Sequence, residues 1–210
     1  LSNAIQNFKR QNYIKCEAAV LLNHLLERKA KDTGWIVNWK VDSANNSLTS
    51  LFWILPDQQN LHLRYQDSYL VGQALINDKT VESYEWVLQT LITNTKAVPL
   101  TIITNNDLAV NAAIASILPD TNHIYCIYYI GQNLIKNLKG KLGERYNEFS
   151  QEWYQMRNSL SYQQFNYLQD NLLTKFPDAS SYLNRALFGE KEHWALCHTS
   201  KIFSAEMQST

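Results

Sequence analysis

The 210-residue sequence reads as an α/β fold with a helical extension, and three observations lead there. WIVNWKV alternates Trp35, Val37, Trp39 and Val41 at period two, DSANNS supplies turn residues, and LTSLFWIL resumes the β pattern, which together predict a hairpin over 35–55. From about residue 69 to 130 short apolar runs alternate with segments of helical period. Beyond Gly131 the patterning is helical throughout. Strands alternating with helices and then a helical run argue for one α/β layer carrying an α-helical insertion or extension.

The elements follow in order. CEAAVLLNHLLERKAK (16–31) places Ala18, Leu21, Leu22, Leu25 and Leu26 on one face of an amphipathic helix. Pro56 closes the hairpin, PDQQNLHLRYQD reads as helix, and YLVGQALI (69–76) reads as a strand. NDKT then offers Asp78 or Thr80 as a cap for the helix VESYEWVLQTLI, whose buried face is Tyr84, Val87, Leu88 and Leu91. PLTIIT is the next strand, the polar break TNND leads into the helix NDLAVNAAIASIL, and HIYCIYY is a further apolar β run. Four helices complete the chain: QNLIKNLKGKL, NEFSQEWYQMRNSL, SYQQFNYLQDNLLTKF and ASSYLNRALFGEKEHWALC. This organisation divides the sequence into an amino-terminal helix and hairpin segment (1–67), a partial α/β core (68–130) and a helical part (131–210).

Composition narrows the function classes. An apolar content of 45% with 12% aromatics fits a folded protein, and Lys plus Arg equals Asp plus Glu at 19 each. No global field therefore attracts a polyanion, and a nucleic-acid contact would need a local patch. Cys16, Cys126 and Cys197 are odd in number and widely spaced, which suits a reducing compartment better than a disulfide framework. No apolar run approaches a membrane span, and LSNAIQNFKR lacks the apolar segment of a signal peptide. A chain that begins at Leu1 and stops at EMQST reads as a piece of a longer protein.

The ordered set NSLTSLFWILPDQ, VESYEWVLQTLI, PLTIITNND, ILPDTNHIYCIYYI and IFSAEMQST resembles the transposase domain of Mutator-like elements (MULE), including the far-red-impaired-response proteins domesticated from them. The resemblance implies an RNase H-like core of the DDE transposase type. In that core three carboxylates, D, D and E, hold two divalent ions, Mg²⁺ or Mn²⁺, for DNA strand cleavage and transfer. It also implies DNA as partner and a nuclear location, with no membrane partner and with a homo-oligomer allowed.

By position, the family's first aspartate lies on a hairpin that is missing between Asp67 and Ser68, which predicts a hole in the central sheet. The second aspartate falls on Asn105, whose amide offers one neutral oxygen where a carboxylate offers two charged ones. The family's C-x-x-H, placed on a strand, appears as Cys126 with Tyr129, and its glutamate follows a stretch like MQST. The expectation is a transposase-derived domain with a degenerate active site, no metal cofactor and no DNA cleavage; the alternative is a domesticated DNA-binding or transcription-regulatory interaction module.

Other candidates carry two readings each. Asp107 is either a substitute ligand or, as an aspartate opening a helix, an N-cap. Glu82 and Glu85 read as a solvated helix face. Cys126 beside His123, and Cys197 beside His198, hint at zinc, but tight local pairs lack the spacing of a four-ligand site, and Cys126 reads as a buried thiol. Lys136, Lys139, Lys141 and Arg145 form the local basic cluster, either tracking a phosphate backbone or covering a solvated face. The six tryptophans sit at periodic positions and read as core.

Overall fold

The computed structural model describes residues 17–44, 47–58 and 72–201. The chain forms two compact units, Leu1–Ala97 and Val98–Thr210.

In the first unit, α1 (Glu17–Lys31) is followed by β1 (Ile36–Asp42) and β2 (Ser47–Ile54), antiparallel with Ile36 opposite Ile54. The predicted hairpin is there. Leu25 from α1 is buried against Val37 and Leu51, with Leu21, Leu22, Leu26 and Trp53 around them. The strand alternation holds at Val37 and then loosens: the register slips between Lys40 and Val41, and Trp39 is 45% exposed. β3 (Gln73–Ile76) pairs antiparallel with β2, Ser50 opposite Ile76. β2 thus supplies the backbone partner on one side of β3. Gly72 opens β3 where a Cβ would sit 3.0 Å from Phe52 Cζ, so a side chain there would press on the buried ring.

α2 (Val81–Thr95) begins as the sequence expects. Thr80 Oγ1 accepts the Ser83 N–H, while Asp78 accepts from the hydroxyls of Thr80 and Ser83, so both proposed cap residues share the task. The most buried residue of α2 is Thr90, with Tyr84, Val87, Leu88 and Leu91 only half-buried. Of PDQQNLHLRYQD, residues 56–58 begin a helix; residues 59–67 and the Asp67–Ser68 junction lie outside the described residues, as does Cys16.

In the second unit β4 (Thr101–Thr104) runs parallel to β5 (Asn122–Tyr125), joined through α3 (Leu108–Ile117). HIYCIYY is not one strand. β5 stops at Tyr125, Cys126 is an N-cap, and Ile127–Tyr129 form the first turn of α4 (Ile127–Leu142). The reason is the buried stripe Ile127, Ile130, Leu134, Leu138 and Leu142: three- and four-residue spacing begins at Ile127, so the core takes these residues as helix despite their β propensity.

After Gly143, at φ +54° where glycine is favoured, come a 3₁₀ turn (Gly143–Arg145), α5 (Tyr146–Arg157), α6 (Tyr162–Lys175) and α7 (Pro177–Ala186). The last expected helix, 179–197, breaks into the end of α7, a 3₁₀ segment (Phe188–His193) and α8 (Leu196–Thr199). The Leu187 carbonyl, just past α7, accepts both the Glu190 N–H at 2.9 Å and the Trp194 Nε1–H at 3.0 Å, and Glu190 takes a non-helical φ of −124°. Trp194 then stacks on Trp153 at 5.7 Å between ring centres and lies 5.8 Å from Phe165. Of the six tryptophans only Trp153 and Trp194 are fully buried.

Trp194→Ala should destabilise the second unit by about 3–5 kcal/mol, the usual cost of emptying a buried aromatic site. Trp39→Ala should cost less than about 0.5 kcal/mol, as an exposed substitution does. Urea unfolding followed by circular dichroism compares the two.

Candidate functional site

The parallel pair β4–β5 sends both chains out of the sheet at the same end. β4 exits into Asn105, Asn106 and Asp107, while β5 exits at Cys126, whose N–H donates to the Thr104 carbonyl at 2.7 Å. A cavity of about 310 Å³ opens there. Asn105 and Asn106 line it together with Asn111 of α3, Cys126, Tyr129 and Asn133 of α4, and Arg185 and Glu190 from the helical part. Amides dominate the polar lining, and Glu190 is the one carboxylate among the described residues of the wall.

A connected polar network backs this wall. Asn111 Nδ2 donates to Asn106 Oδ1 at 2.8 Å and to the Tyr125 hydroxyl at 3.0 Å, and Tyr125 donates in turn to Glu190 Oε2 at 3.2 Å. Burial, then the Glu190 charge, holds the Tyr125 phenol above its ordinary value, so it stays a donor. Its ring stacks on His193 at 4.8 Å and meets His123 edge-on at 5.2 Å. His123 Nε2 lies 2.7 Å from Thr104 Oγ1, and burial followed by the neighbouring His193 pushes its pKa down to about 4. Asn111 Oδ1 is buried without a partner among the described residues.

The sequence candidates fall as follows. Asn105 is exposed at the cavity mouth. Asp107 turns its carboxylate onto the N–H groups of Ala109 and Val110, at 3.0 and 3.2 Å, so it caps α3. Cys126 and Tyr129 both line the cavity, at a strand–helix junction and in a first helical turn, not on a strand. Cys126 is half-buried where a buried thiol was expected, because the cavity opens on it; Cys197 is buried. Glu82 is exposed and Glu85 half-buried on α2.

The basic residues do not gather into one cluster. At about 100° per residue Lys136 and Lys139 share the solvent face of α4 with Tyr128 and Tyr129, whereas Lys141 lies roughly 160° from Lys139. Arg145 is held by the protein itself: its guanidinium donates to the Lys175 carbonyl at 3.0 Å, lies 3.9 Å from Glu148 and rests over the Phe176 ring. Asn111, Tyr125, Arg185, Glu190 and His193 were not singled out from the sequence. They come from four elements, α3, β5, α7 and the 3₁₀ segment that carries both Glu190 and His193, and no linear spacing joins the four.

Asp107→Ala should cost about 1 kcal/mol through the lost cap, measured by chemical denaturation. His123 titrates near 4 in the fold against 6.5 when free, so the unfolded chain binds its proton first and stability falls as pH drops through that window. In melting curves from pH 7 to 4, His123→Gln should show a shallower loss than the wild type.

The MULE transposase domain profile matches residues 60–133, a stretch that contains β3, α2, β4, α3, β5 and the start of α4. The Arabidopsis thaliana protein FAR1-RELATED SEQUENCE 11 is 29% identical over 141 residues, covering 66% of this chain and 21% of the relative. FAR1-RELATED SEQUENCE 7, from the same plant, is 23% identical over 232 residues, covering 97% of this chain and 30% of the relative. FAR1-RELATED SEQUENCE 4 is 29% identical over 133 residues, covering 60% of this chain and 17% of the relative. The chain thus spans under a third of the length of these relatives. The chain is thus similar to the MULE transposase domain over residues 60–133 and to the FAR1-related sequence proteins.

Proposed function

We propose that this chain is a transposase-derived DNA-binding domain, working in the nucleus, that engages DNA without cutting it. The observation that supports this most is Asn105 at the carboxyl end of β4, in a cavity walled by amides. The order of elements from β3 to β5, with β4 and β5 parallel, supports reading that stretch as a partial RNase H-like core. Mg²⁺ or Mn²⁺ in a two-metal site requires several converging carboxylates. Glu190, the one carboxylate among the described residues of the wall, does not fit that demand, and no cleavage step follows from these residues.

What the geometry supplies instead is a contact surface. Lys136 and Lys139 stand exposed on α4, clear of any ion pair among the described residues, and Arg185 projects from α7 at the cavity edge. Two lysines can displace counterions from a phosphate backbone, and the amides can donate to phosphate oxygens or base edges. Arg145, committed to its own fold, contributes less.

The second reading, a regulatory module that docks a protein partner, draws on a different feature of the same helix. Tyr128 is 64% exposed and Ile135 42%, an apolar addition that phosphate contact does not require.

The test is fluorescence anisotropy of a labelled duplex titrated with the 210-residue chain in EDTA, across a salt series. Binding should persist without metal. Lys136→Ala with Lys139→Ala should weaken it and flatten the slope of log K against log salt by about 2, one increment for each lysine withdrawn from a phosphate. No binding at low salt would sink the DNA reading and leave the protein-docking one.

A further inference from the structure

We propose that Glu190, Glu192 and His193, all on the 3₁₀ segment Phe188–His193, bind one divalent transition ion of the zinc type. One ligand atom from each of the three lies within 4.8 Å of the other two. His193 Nε2 and Glu190 Oε2 are 3.6 Å apart, and ligand atoms about 2.1 Å from a tetrahedral zinc stand about 3.4 Å from one another. Little movement is needed to close the set around an ion.

Groups outside the trio hold two of the ligands from behind. The His193 Nδ1 lies 2.7 Å from the His123 backbone carbonyl, an acceptor only, so Nδ1 carries a proton, and Nε2, on the side of Glu190, is the nitrogen that would meet an ion. A ring nitrogen fixed on a carbonyl with the other left free is the usual arrangement behind a metal-bound histidine. The Tyr125 hydroxyl donates to Glu190 Oε2, and its ring stacks on His193, so one residue orients both ligands. Glu192 is exposed and has no hydrogen bond or ion pair among the described residues, leaving its carboxylate available.

The segment that carries the trio is anchored at its end. Trp194, 1% exposed, donates Nε1–H to the Leu187 carbonyl, and its own carbonyl accepts from Arg157 Nε at 3.3 Å. The three ligands therefore ride on a short 3₁₀ segment pinned to the aromatic core. One imidazole nitrogen with two carboxylates suits zinc, cobalt or manganese better than calcium or magnesium, which prefer all-oxygen shells. An internal Glu190–His193 ion pair would account for two of the residues. It would not account for Glu192, whose carboxylate stands beside the pair.

The test is isothermal titration of the 210-residue chain with ZnCl₂ after chelator treatment, with Co²⁺ absorption as a report on ligand type. One equivalent should bind, and Co²⁺ should give visible d–d bands without the near-ultraviolet thiolate band that Cys16, Cys126 or Cys197 would produce. Glu192→Gln and His193→Gln should each weaken binding at least tenfold, and Tyr125→Phe by about tenfold. Glu192→Gln, exposed and unbonded, should leave the thermal melt of the metal-free protein unchanged, which separates ligand loss from unfolding. Absence of saturable uptake, a thiolate band, or affinity unaltered in Glu192→Gln and His193→Gln would overturn the proposal.

Discussion

The parallel pairing of β4 with β5 is the constraint on which the second unit depends. Two parallel strands must exit at one end, and here both exits turn at once into helix starts, through Asp107 and Cys126. The 2.7 Å bond from the Cys126 N–H to the Thr104 carbonyl extends the pairing past the last strand residue and fixes the distance between the two exits. A crevice outside the carboxyl ends of such strands is where open α/β sheets place ligands. The amide wall around Asn105, the thiol of Cys126 and the first turns of α3 and α4 all take their places from that single geometry.

The helices serve the crevice indirectly. The stripe from Ile127 to Leu142 packs α4 into an aromatic core where Phe149 meets Phe176 edge-on and Trp153 stacks on Trp194. That core reaches back to the site through Trp194, whose indole N–H donates to the Leu187 carbonyl just past α7 and whose own carbonyl is gripped by the buried Arg157. Burial lowers the Arg157 pKa, yet an arginine starts so high that it remains charged, and it serves as a polar rivet in an apolar wall. The 3₁₀ segment bearing Glu190 and His193 is short and irregular because both of its ends are fixed by this packing.

Much of the fold was legible. The hairpin announced itself by alternation, α1 by its leucine face, and Thr80 and Asp107 by the chemistry of caps. Where the reading missed, tertiary packing overrode local preference. HIYCIYY is β-branched and aromatic, and only the stripe continuing to Leu142 makes its second half helical. The final helix was interrupted by a tryptophan side chain seven residues past the carbonyl it captures, a contact no periodicity encodes. Within the site, Asn105, Cys126 and Tyr129 were located by resemblance, while Arg185 and Glu190 were not, because they reach the cavity only through the folding of the helical part. Lys136, Lys139, Lys141 and Arg145 looked like one cluster on paper, and helical geometry together with the Lys175 carbonyl separates them.

On the function proposed above, the crevice keeps its shape while lacking the charge needed for strand cleavage. The decisive measurement is nicking of a terminal-repeat duplex by the purified 210-residue chain in Mg²⁺ or Mn²⁺, set beside Asn105→Ala prepared identically. Neither protein should give a metal-dependent product. Metal-dependent nicking by the wild type that vanishes in Asn105→Ala would contradict that function.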